Sequence, residues 1–100
     1  MKGRVVFHIH LKPGREEELL RAYGAIRHLV AQEVKGHIAD QVCQSIDDRL
    51  SWLITSEWES IEDFLEWERA PEHRDLVKSM RECWDEAKSL KYVVREETCY

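Results

Sequence analysis

The sequence predicts an α+β fold, a ferredoxin-like split βαβ arrangement with an antiparallel sheet. Three observations predict it. Arg4 to Leu11 alternates apolar and polar residues with a period of two. Arg15 to Val34 repeats its apolar residues at three and four. Two more strand-like runs, a pair of helical runs and a last alternating stretch follow, giving the order β-α-β-β-α(α)-β.

In the first strand Val5, Phe7, Ile9 and Leu11 point one way, and Val6, His8 and His10 the other. Lys12-Pro13-Gly14 ends it, because Pro has no N–H to donate and Gly tolerates a turn. The helix from Arg15 to about Val34 carries Leu19, Tyr23, Ile26, Leu29, Val30 and Val34 on its stripe. Its first turn holds Glu16 to Glu18, where the helix dipole favours anions. Gly24 in its middle costs about 1 kcal/mol against Ala, and close packing against a strand is the expected reason. Gly36 closes the helix as a residue free to turn left-handed.

Ile38 to Ser45 and Leu50 to Trp58 read as an antiparallel hairpin around Ile46-Asp47-Asp48-Arg49. The second of these strands is apolar on both faces, Trp52, Ile54 and Trp58 against Leu53, which predicts a central position. Ser60 is the N-cap of the next helix, with Asp63 three residues on. That helix runs from Ile61 to about Ala70 and stops at Pro71. A longer helix is predicted from His73 to about Leu90, with Leu76, Val77, Met80, Cys83, Trp84 and Ala87 on one stripe. Leu90 to Glu96 is expected to form a short last strand, and Glu97 to Tyr100 a tail.

One hundred residues make one domain, residues 1–100. A chain of this size buries only about 60–70% of its unfolded surface. Its helices cover one sheet face, and the other face is too apolar in places to stay wet. A homodimer with sheets stacked face to face is the expected solution. The net charge of −5 is spread without a basic stripe, which argues against nucleic acid and a membrane surface as partners. Cys43, Cys83 and Cys99 form no CxxC pair and are odd in number, as expected for reduced thiols in the cytoplasm. The chain opens on a short alternating stretch instead of a signal peptide, and no run approaches the ~20 apolar residues of a membrane span.

The stretch Ser56 to Leu76, SEWESIEDFLEWERAPEHRDL, follows a first strand that ends in LKPG before an acidic helix. This combination resembles the antibiotic biosynthesis monooxygenase family, from about Val5 to Val94. The resemblance implies a dimeric α+β barrel. It spans several activities: cofactor-free oxygenases of aromatic polyketides, quinol oxygenases, haem-degrading oxygenases and isomerases. The haem-degrading members resemble one another in an Asn on the first strand, a Trp in the short helix and a His ten residues after it. This chain has Phe7, Trp67 and Val77 there, so only the Trp matches and no axial iron ligand stands at Val77. The polyketide-oxygenase members are similar at Trp67 too, whereas the Asn and Tyr partners that some of them use have no clear counterpart.

Trp67 shares its helix with Ile61, Phe64 and Leu65 and lies roughly 60° from Phe64, at the stripe's edge. An edge position suits a pocket wall and equally a rim residue that covers the core. His73, in the first turn after Pro71, titrates near neutral pH and is the candidate base; with Glu72 and Arg74 it can also be a solvated helix start. Arg81 is the candidate for oxyanion stabilisation, with a surface ion pair as the plain reading. His8 and His10 alternate on one face, but with no third ligand a metal site is not expected. The expected activity is cofactor-independent oxidation of a small aromatic phenolic substrate with dioxygen. Trp67, His73 and Arg81 are its catalytic candidates, in a pocket walled by Phe7, Tyr23, Trp67 and Val77. A non-oxidative polyketide cyclase, or a binding dimer of the same fold, is the alternative.

Overall fold

The computed structural model describes residues 1–99, with Leu29 described in its backbone alone. The elements are β1 (Gly3–Leu11), α1 (Glu16–Glu33), β2 (His37–Gln44), β3 (Ser51–Trp58), α2 (Ile61–Arg69), α3 (Pro71–Met80), a single 3₁₀ turn (Arg81–Cys83) and β4 (Trp84–Val93). The sheet order is β2-β3-β1-β4, every pair antiparallel. This is the ferredoxin-like βαββαβ arrangement, with β3 and β1 central.

The alternation of β1 decides the layers. Val5, Ile9 and Leu11 are buried beneath the helices. One part of the core gathers Ile9, Leu11, Leu19, Trp52, Met80 and Cys83; another gathers Val5, Trp58 and Phe64. Each such side chain is worth about 1.5–3 kcal/mol on burial. The opposite sheet face has no helices. It pairs Val6 with Thr55 and Leu90, His8 with Leu53 and Lys88, and Arg4 with Glu57 and Tyr92. An Arg4–Glu57 ion pair crosses it, and Tyr92 is half exposed on it. Among the described residues no helix is long and apolar enough to cross a membrane.

The predicted helix from His73 to Leu90 is corrected. It stops at Met80, and Trp84 and Ala87 belong to β4, which begins well before Leu90. The edge of β1 not taken by β3 carries backbone groups that need partners. β4 pairs with β1 over its whole length, and Lys12 N bonds Cys83 O (2.9 Å) while Val94 N bonds Lys2 O (2.8 Å) at the two ends. Locally Asp85-Glu86-Ala87-Lys88 favours a helix, but the ladder outweighs that preference. Trp84 then meets Phe7 edge to face, ring centroids 5.3 Å apart.

Two glycines bear on the helix ends and middle. Gly36 has φ +83°, and a Cβ there would stand 2.1 Å from the Asp63 carboxylate. Glu59 N bonds its carbonyl at 2.8 Å, which ties the end of α1 to the start of α2. Gly24 is different. A Cβ on it would meet nothing within 4 Å, so close packing does not explain it. Gly24→Ala is therefore expected to raise stability by about 0.5–1 kcal/mol. Denaturant unfolding of the two proteins checks this; an unchanged or lower midpoint would show that α1 depends on the glycine.

Candidate active-site cavity

A cavity of about 200 Å³ lies between the sheet and the helices. Its floor comes from Val5, Phe7, Ile54 and Trp58 of the two central strands. Tyr23 and Val30 of α1, and Phe64, Trp67, Leu76 and Val77 of α2 and α3, close it from above. The lining is chiefly apolar, so a polar group within it stands out.

Five rings run in series along its wall. His37 meets Trp58 at 5.4 Å, Trp58 meets Phe64 at 5.3 Å, Phe64 meets His73 at 6.4 Å and His73 meets Trp67 at 5.4 Å. All four contacts are edge to face, the geometry that ring quadrupoles favour. Pro71 makes the turn possible. It occupies the first position of α3, where its missing N–H is no loss, directly after the extended Ala70 that ends α2. His73 thereby folds back on Trp67 and Phe64. The Trp58 indole N–H is satisfied by the Ser56 hydroxyl at 2.9 Å.

The ionisable groups fall into two sets. The first is His73 with Glu68 beside it. Burial holds the His73 imidazole below its ordinary pKa, and the Glu68 carboxylate opposes this in part. Glu68 is itself tied to Lys91 of β4 at 3.3 Å. The second set is His37, Asp40 and Tyr23. His37 Nε2 lies 2.9 Å from Asp40 Oδ2, and these side chains are only 5% and 12% exposed. Burial first, then the neighbouring Asp40 carboxylate, push the Tyr23 phenol above its ordinary pKa, so it stays a hydrogen-bond donor.

Phe7, Tyr23, Trp67, His73 and Val77 thus all line one cavity. Trp67 stands at its edge, since it also borders a shallower surface groove with Glu33, Asp63, Glu66 and Glu72. Arg81 is a correction. It is exposed on the 3₁₀ turn outside the lining, because the chain leaves the helix at Met80 and turns towards β4. His8 is exposed on the open sheet face, and His10 Nδ1 lies 2.8 Å from Asp85 Oδ1. Among the described residues no three His, Cys, Asp or Glu side chains converge as a metal site. The cysteines are free thiols, Cys83 fully buried.

Sequence reasoning missed His37, Asp40, Ser56 and Glu68 as cavity residues. In a regular strand residues three apart point to opposite faces, so His37 and Asp40 read as unrelated. An irregularity in the β2–β3 register between His37 and Ala39 puts them on one face. The sequence carries no signal for it.

A single-faced antiparallel sheet, two short helices joined at a proline, and an aromatic cavity beneath them define a small α+β domain with an apolar cavity. The chain belongs to the antibiotic biosynthesis monooxygenase family, whose sequence profile matches residues 3–79. It is 44% identical over 95 residues to the 42.8 kDa protein in the whiE locus of Streptomyces coelicolor, covering 95% of this chain and 24% of that protein. It is 36% identical to the polyketide synthase CurD of Streptomyces cyaneus, covering 84% of this chain and 22% of CurD. The chain therefore spans about a quarter of the length of these relatives. The crystal structure of SnoaB, a cofactor-independent oxygenase from Streptomyces nogalater, shares the fold. Its TM-score is 0.82 at 12% identity, over 96% of this chain and 95% of that one.

The two perturbed histidines have opposite signs. His73 is depressed below 6.5, so the stability that depends on its neutral form is lost as pH falls through the window beneath 6.5. His10 is raised above 6.5, chiefly by its hydrogen bond to Asp85, and its contribution is present below 6.5 and lost as pH rises through the raised value. NMR titration of the imidazole protons is expected to place the His73 midpoint below 6.5 and the His10 midpoint above it. The reverse order would contradict the burial and pairing described.

Proposed function

We propose that this domain is a cofactor-independent monooxygenase that oxidises an aromatic, polycyclic phenolic substrate with dioxygen. One observation carries the reading: an apolar cavity walled by rings packed edge to face, with the imidazole of His73 in contact with Phe64 and Trp67. Family membership supports it, as do a relative named a polyketide synthase and a structural neighbour named a cofactor-independent oxygenase.

The substrate supplies the electrons. An electron-rich phenol, or the phenolic tautomer of an anthrone, loses its hydroxyl proton and becomes an anion delocalised over the rings. This anion gives one electron to dioxygen, and the two radicals join through a new carbon–oxygen bond. The peroxide formed takes up a proton. The hydrogen left on the oxygenated carbon then departs as a proton, the O–O bond breaks, and water leaves behind a carbonyl. A CH₂ group and O₂ become C=O and H₂O, with no outside reductant.

The protein's part is placement, a dry site and proton transfer. Phe7, Trp67 and Val77 give apolar walls for planar rings. The Tyr23 hydroxyl, kept protonated and bonded to Asp40, turns its hydrogen to the negative oxygen. His73, neutral at pH 7, accepts a proton. Trp67 holds the rings at the rim and shuts out water. The open sheet face fits a second copy: Val6, Leu53, Leu90 and Tyr92 lie on it without helices to cover them. The reading is thus of a homodimer with sheets face to face.

Oxygen uptake with 1,8-dihydroxyanthrone, without added cofactor, tests the reaction. His73→Gln is expected to slow it by about ten-fold or more, and Trp67→Ala to slow it with the fold intact by near-ultraviolet circular dichroism. The wild-type profile should be flat through pH 7 and fall only below 6.5, where His73 takes a proton. No uptake would refute the oxygenase, and a ring-closed product without uptake would mark the cyclase instead. For the dimer, light scattering at micromolar concentration is expected to give twice 11.9 kDa, with Leu53→Asp shifting the mass to the monomer. A monomeric wild type would refute the dimer.

A further inference from the structure

The aromatic series has a histidine near each end, and the proposed oxidation has two protons to remove. They leave from opposite sides of the substrate's ring, one from the hydroxyl oxygen and one from the carbon that gains oxygen. Two bases, one on each side of the ring, would serve both. His73 sits beside Trp67 at one end of the series; His37 stands at the other, with Trp58 and Phe64 between them.

We propose that His37, oriented by Asp40, is a second catalytic base, and that it takes the hydroxyl proton of the phenolic substrate. The inference rests on the oxygenase reading for its place in the reaction. Its grounds are geometric. His37 and Asp40 are three residues apart on an edge strand, so a regular strand would send them to opposite faces. The register shift between His37 and Ala39 brings both to the cavity, the kind of use that bulges near active sites serve. Both side chains are nearly buried, and both line an apolar cavity. A buried imidazole–carboxylate pair gives little or no net stability over apolar side chains of the same size. Packing alone does not account for it.

The arrangement also sets the chemistry. Asp40 lies on Nε2, which fixes the ring proton there and leaves Nδ1 as the acceptor. Trp58 holds the imidazole edge to face. Tyr23, beside Asp40, brings a phenolic donor to the same end of the cavity. In the step proposed, the substrate O–H bond breaks and the proton passes to His37 Nδ1. The electron pair stays on the substrate oxygen, to which the Tyr23 hydroxyl, otherwise bonded to Asp40, turns its one hydrogen. The proton returns to the peroxide or to the departing water, so His37 ends as it began. Asp40 acts through His37 and is a positioning residue.

Ionisation of a bound probe tests this apart from oxidation. Under anaerobic conditions at pH 7, 1,8-dihydroxyanthrone bound to the wild-type chain is expected to show the absorption of its anion. His37→Gln and Asp40→Asn should reduce the ionised fraction at least five-fold at equal occupancy, and His8→Gln, on the open sheet face away from the cavity, should leave it unchanged. A merely structural pair would change occupancy or folding and not the ionised fraction. Should both variants unfold, ¹⁵N spectra of histidine-labelled wild type decide: the His37 Nδ1 resonance is expected to move to the protonated position when the probe binds. An anion band of full strength in His37→Gln, no band in wild type, or an unmoved Nδ1 resonance would overturn the proposal. Oxygen uptake without the band in wild type would leave the oxygenase and remove His37. The band without uptake would do the opposite.

Discussion

The contact between Trp58 and Phe64 governs what lies above the sheet. Trp58 ends β3 and is 2% exposed; Phe64 is the buried residue of α2 and is 6% exposed. Their rings meet edge to face and so fix α2 on the sheet. Trp58 also orients His37, and Phe64 also orients His73. One buried pair therefore sets the two cavity histidines as well as the packing of a helix. Loss of Phe64 would remove about 3–5 kcal/mol of packing and one wall of His73 together.

The fold leaves two asymmetries that shape its use. One sheet face is covered by helices and holds the cavity; the other is open and partly apolar. Within the cavity the walls are apolar, yet two separate polar sets are enclosed. Glu68 is anchored by Lys91 on the strand side, and Asp40 is shared between His37 and Tyr23. In a dry site such groups keep their charge only where partners supply what water would.

Val77 illustrates how one residue narrows the chemistry. It stands in the cavity where a His would be needed by the haem-degrading pattern, and an isopropyl group has no lone pair to offer iron. At the same place it adds a branched apolar side chain to the cavity wall. Arg81, on the exposed 3₁₀ turn, shows the reverse case: a reactive residue type carried away from the site by the path of the backbone.

The sequence by itself determined the layers. The period of two in β1 and the three-four spacing in α1 and α2 are local, and they fix which side chains face the core. They placed Phe7 and Tyr23 on inward faces and Trp67 at the edge of one, and the proline step placed His73 at a helix start. Tertiary structure alone decided the rest. Trp84 to Leu90 became strand because the free edge of β1 needed a ladder partner, a demand invisible to local propensity. His37 and Asp40 met because one irregularity in the β2–β3 register moved both to one face, and register is a property of two strands, not of one.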